Sequence, residues 1–92
     1  MFQIKRSKKF KREHKKIVKN NLKINNILTE ILNYFLLGKE LPVNFKAHHL
    51  QGTYKDCYEC HVQPDILLIY KIDKKDELLT LLRIGSHANL FD

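Results

Sequence analysis

At Gly38 the hydrophobic period of this chain changes, and that change limits its fold more than any other feature. Before it, Ile24, Ile27, Leu28, Ile31, Leu32, Phe35 and Leu36 recur three and four apart, which is one face of a helix. Gly38 then favours a helix end, and Pro42 confirms that the helix does not resume. After it, residues 66–72 form an apolar, β-branched run, and residues 78–84 are its expected partner across the loop 73–76. A strand is also expected over 57–62, with Cys57, Glu59 and His61 on one face and Tyr58, Cys60 and Val62 on the other. Tyr54 is assigned to a further short strand.

Upstream, Phe2, Gln3, Ile4 and Lys5 alternate as a first strand, and Ser7 can cap a helix carrying Phe10, His14, Ile17, Val18 and Leu22 on one face. Asn20 and Asn21 mark a break before the second helix. The resulting order is β-α-α-β-β-β, an α+β fold with two N-terminal helices on an antiparallel sheet. At 92 residues, 1–92 is a single domain with one modest core.

The charge is unevenly placed. Residues 1–23 hold ten Lys or Arg against Glu13 alone, a local +9 in a chain whose total is +7, so the remainder sums to −2. Lys5, Arg6, Lys8, Lys9, Lys11, Arg12, Lys15 and Lys16 form the dense part, a surface suited to a polyanion. No run of 18 apolar residues is present, so no membrane span is expected. The start Met-Phe-Gln-Ile-Lys-Arg-Ser lacks an apolar signal region, so a cytoplasmic location is expected, with Cys57 and Cys60 as reduced thiols.

Cys57, Cys60 and His61 fit the C-x-x-C-H pattern of c-type haem attachment. Haem attachment calls for export, and strand alternation would send the two thiols to opposite faces. Zinc is disfavoured on similar grounds, since one C-x-x-C stands without a second ligand pair. No cofactor or metal is expected; Cys60 is assigned to the core and Cys57 to the surface.

His48, His61, Asp65 and His87 lack the spacing of a short motif, and each alone reads as a solvated surface group. Brought together by a sheet, they would make a metal-free acid-base set: imidazoles titrate near neutral pH, so one can accept a proton while another donates one. Such a set suits RNA cleavage, in which a base removes the 2′-hydroxyl proton, the alkoxide attacks the adjacent phosphate, and an acid protonates the departing 5′-oxygen. His49 has no such claim.

Four segments together, H-x-L-Q-G at 48–52, H-V-x-P-D at 61–65, L-x-Y-K at 68–71 and R-x-G-S-H-x-x-L-F at 83–91, resemble the YafQ branch of the RelE/ParE superfamily of bacterial toxins. The resemblance implies a RelE-like fold with a mainly antiparallel twisted sheet. It also implies the toxin of a type II toxin-antitoxin system, an mRNA endonuclease (mRNA interferase) that cuts codons in the 30S A site of the ribosome. Catalytic residues carried over are His48, His61, Asp65 and His87, with Phe91 supporting the substrate and Arg83 near the scissile phosphate. His87 is expected to be the general acid, on a C-terminal loop, with His48 or His61 as base. The implied partner is a DinJ-like antitoxin of ribbon-helix-helix type, through which alone operator DNA would be met. Two positions depart from the pattern: His49 stands where a proline often follows the first histidine, and Ile66 where a tryptophan often follows the aspartate, which removes a stacking surface for a base. The same superfamily contains ParE-like toxins that inhibit DNA gyrase without cutting RNA, the alternative in which the histidines have no catalytic role.

Overall fold

The computed structural model describes residues 2–91. Strand β1 (Gln3–Arg6) leads into helix α1 (Lys8–Asn20). Ser7 between them has extended backbone; its hydroxyl accepts from the Phe10 N–H at 2.9 Å and donates to the Leu82 carbonyl at 2.8 Å. One side chain therefore caps the helix and ties its start to a distant strand. Helix α2 (Lys23–Leu36) buries Ile24, Leu28, Ile31 and Leu32, the stripe expected from its spacing. It ends at Gly38, whose φ of +68° suits a residue without Cβ, while the Gly38 and Lys39 N–H groups bond back to the Phe35 and Tyr34 carbonyls. Leu22 belongs to neither helix: α1 ends two residues earlier, and this side chain is 77% exposed on the corner instead of lying on the apolar face of α1.

Strands β2 (His48–His49), β3 (Tyr58–Gln63), β4 (Ile66–Asp73) and β5 (Leu78–Ser86) complete a five-stranded sheet in the order β1-β5-β4-β3-β2. All neighbours are antiparallel except β1 and β5, which pair in parallel. The two helices cover one face, where Phe10, Ile24, Ile31, Cys60, Leu68, Leu79, Leu81 and Ile84 pack at essentially zero exposure. The α+β class and the order of the long elements are as the sequence implies.

Three local expectations are corrected. Tyr54 lies not in a strand but in a 3-10 turn (Gly52–Tyr54), because Gly52 at φ +74° breaks the extended backbone and its carbonyl accepts from the Lys55 N–H. The strand that does form there is β2, the histidine pair itself. His87 opens a short helix α3 (His87–Phe91) instead of a loop. Cys57 is buried, at 8% exposure, since α3 and the 3-10 turn roof part of the opposite sheet face and enclose a second cluster of Cys57, Leu67, Ile69 and Leu90.

Candidate active site

The sheet face away from α1 and α2 carries the candidate residues, and pairing register sets its layout. Directly paired antiparallel residues share a face. His48 is opposite Glu59, Glu59 opposite Ile69, and Ile69 opposite Arg83, so one row runs His48, Glu59, Ile69, Arg83. The next row is His61, Leu67, Gly85. His61 is thus about 7–8 Å from His48 on the diagonal, and about 10 Å across two strand spacings from Gly85. His87 follows Gly85 by two residues, and Asp65 sits in the two-residue turn joining β3 to β4. His61, Asp65 and His87 therefore gather at one end of the face, with His48 one row away.

Register also explains why Arg83 is available there. The pairing of β4 with β5 shifts between Ile69 and Tyr70, leaving Leu82 as an extra residue. This bulge reverses the alternation and turns Arg83 out of the helix-covered face.

Hydrogen bonds distinguish the histidines. His48 Nδ1–H donates to the Lys46 carbonyl at 2.9 Å, while its Nε2 lies 3.0 Å from Glu59 Oε2. Both ring nitrogens face acceptors, and Nε2 is already engaged by the carboxylate. Glu59 is 6% exposed, and its Oε1 is buried without a hydrogen-bond partner among the described residues. His61 differs: its Nδ1–H donates to the Pro64 carbonyl at 3.3 Å, which leaves Nε2 as the lone-pair nitrogen of a neutral ring. A cleft of about 290 Å³ opens beside it, lined by Asn44, Lys46, Gln63 and Pro64 among others. His87 is exposed, with its ring centroid 4.9 Å from that of Phe91.

Arg83 is not a free cation. Its Nε donates to both oxygens of Glu13 at 3.0 and 3.1 Å, Nη2 donates to Oε2 at 2.7 Å, and Nη1 donates to the Tyr54 hydroxyl at 3.0 Å. The Glu13 carboxylate is the main reason that the guanidinium holds its proton more tightly than usual. Glu13, Tyr54 and Glu59 escape sequence reasoning; of these only Glu59 carried a signal, its shared alternation with His61. Burial pushes both thiols up, Cys60 to about 12, so neither is an activated nucleophile.

Lys5 and Arg6 on β1, and Lys8, Lys9, Lys11, Arg12, Lys15 and Lys16 on α1, are all exposed. They lie on other elements than His48, His61 and His87, yet a shallow groove along α1 that includes Lys9, Arg12 and Lys16 also includes Glu13, the partner of Arg83. Among the described residues no three His, Cys, Asp or Glu side chains are grouped to hold a metal ion, and no helix is long and apolar enough to cross a membrane.

Residues 2–92 match the family model described as the bacterial toxin of type II toxin-antitoxin system, YafQ. The mRNA interferase toxin YafQ of Escherichia coli K12 is 42% identical over 69 residues, which is 75% of this chain and 70% of that protein. A metal-bound toxin from Helicobacter pylori superposes with a TM-score of 0.89 at 40% identity, over 99% of this chain and all of that one. YafQ in the E. coli DinJ-YafQ complex superposes with a TM-score of 0.84 at 33% identity, over the whole of both chains.

Proposed function

The chain belongs to the YafQ family of bacterial type II toxin-antitoxin toxins, and on that premise we propose that it is an endoribonuclease that cuts mRNA in the ribosomal A site by acid-base chemistry without a metal. The observation that carries this reading is the contrast between His61, whose bond to the Pro64 carbonyl leaves Nε2 as an acceptor, and the exposed His87 beside Phe91 at the same end of the sheet. His61 Nε2 removes the 2′-hydroxyl proton, the alkoxide attacks the adjacent phosphorus, and His87 donates a proton to the 5′-oxygen as the P–O bond breaks, leaving a 2′,3′-cyclic phosphate. Asp65 accepts a hydrogen bond from the substrate, and Phe91 stacks on a base. His48, whose Nε2 is already engaged by Glu59, fixes that neighbouring row and is not the base.

The exposed lysines of α1 hold ribosomal RNA. An antitoxin of the DinJ kind covers the toxin, as DinJ accompanies YafQ in the E. coli complex, and brings operator DNA to the assembly. A similar toxin from Helicobacter pylori is metal-bound; among the described residues of this chain no three His, Cys, Asp or Glu side chains are grouped to hold a metal ion, and the steps above use acid-base groups.

Primer extension on mRNA after induction tests the reading. Codon-phased 5′ ends are expected with the parent chain and none with His87→Gln, and cleavage should persist after the toxin is stripped of transition metals. Growth arrest with DNA-damage signalling and no new ends would sink it in favour of gyrase inhibition.

A further inference from the structure

Helix α3 has five residues, too few to hold itself together in water. Beside the Ser86 hydroxyl, which accepts the Asn89 N–H at 3.2 Å, two further attachments fix it. Leu90 is buried in the second cluster, and Arg83 reaches the Asn89 carbonyl from Nη2 at 3.5 Å. Arg83 Nη1 also holds the Tyr54 hydroxyl, the Tyr54 ring meets Phe91 edge-on at 6.0 Å, and Phe91 lies 4.9 Å from His87. What fixes Arg83 is Glu13, which takes three of its bonds and in addition accepts the Ile84 N–H at 3.2 Å. Glu13 is the only acid among the first 23 residues, in a helix whose other charged side chains are all cations.

We propose that Glu13 is a positioning residue for cleavage: by clamping Arg83 it holds Tyr54 and α3 in place, and so sets where His87 and Phe91 meet the RNA. The inference rests on His87 and Phe91 serving the reaction as described above. It replaces the expectation that Arg83 meets the scissile phosphate directly, because the Nε–Nη2 edge of the guanidinium, the edge that would grip a phosphate with two bonds, is occupied by a carboxylate. The pair is also neutral as a unit, so it adds little positive potential at the reacting phosphate.

The two roles of Arg83 predict opposite results when Glu13 is neutralised. If Arg83 were a phosphate ligand restrained by Glu13, Glu13→Gln would free it and keep or raise the cleavage rate. As a clamp, Glu13→Gln should lower kcat by about ten-fold or more, the scale on which small misplacements of reacting groups act. The ribosome concentration giving half-maximal rate should stay level or fall, because the basic helix gains net positive charge. A lost ribosome contact would raise that concentration instead. In the same variant, backbone 15N relaxation should show residues 87–91 newly mobile while residues 58–84 remain as rigid as in the parent.

A kcat within about two-fold of the parent, a raised half-saturation, or an α3 as ordered as before would each overturn the proposal. Tyr54→Phe decides the matter if Glu13→Gln fails to fold: it keeps the ring against Phe91 and removes only the hydroxyl that Arg83 holds, so kcat should fall several-fold, and an unchanged rate overturns the relay. If the parent chain itself cuts no RNA, the nuclease reading falls, whereas the relaxation measurement still decides whether Glu13 orders α3.

Discussion

His48 shows how much one side chain can depend on a partner that the sequence does not advertise. Its candidacy as a site residue came from H-x-L-Q-G, but its bond to Glu59 was not legible, because β2 has two residues and no alternating run to announce it. Glu13 was hidden for a related reason: it reads as the one interruption of a charge run, and its partner lies 70 residues away. The His48–Glu59 pair carries a stability consequence. His48→Ala would leave a carboxylate buried with neither oxygen paired, at a cost of about 1–3 kcal/mol. Glu59→Leu added to that variant should recover most of the loss, since an apolar residue on this face needs no partner. Thermal melts of the single and double variants check this, and a double variant no more stable than His48→Ala would contradict it.

At the level of elements, those with a long repeat were readable and the short ones were not. Helix α2 declared itself through seven apolar positions, and β4 and β5 through mostly apolar runs broken only by Lys71, Thr80 and Arg83 before their last residues, whereas β2, the 3-10 turn and α3 have two, three and five residues and are held by tertiary contacts. The bulge at Leu82 was equally silent, because a one-residue slip is decided by what each face must bury. Helix α1 is a readable element in which only Phe10 is fully buried, which leaves its lysines exposed for the RNA contact proposed above. Reversing two of them, Lys8→Glu with Lys15→Glu, should lower the slope of log affinity for the ribosome against log salt by roughly two. The melting free energy should move by no more than about 0.5 kcal/mol per site. Ribosome pelleting across a salt series measures the first and chemical denaturation the second.

For the whole molecule, the covered sheet governs behaviour in alkali. Cys60 is fully buried between the helices and the sheet, and its thiol keeps its proton to about 12, against 9.0 for an unburied thiol. Between those values the folded state binds more protons than the unfolded chain, so stability is intact below pH 9 and declines as the pH rises toward 12. Tyr70, also buried and raised, acts in the same direction from about pH 10. Melting temperature measured from about pH 8 to 11 should therefore fall, and more gently in Cys60→Ala once its lower starting stability is subtracted. Equal slopes in both proteins would show that the thiol is not the cause.

The parallel pairing of β1 with β5 sets a timetable for folding. Ser7 bonds to a carbonyl 75 residues further on, and among the described residues Gln3 through Arg6 have no strand partner except residues 78–81. Such distant closure is slow relative to hairpin formation. The first strand to leave the ribosome is consequently the last to find its place, and Glu13 cannot reach Arg83 until β5 has emerged. A nascent copy thus presents its basic helix to the ribosome that is making it well before the histidines proposed for cleavage are aligned.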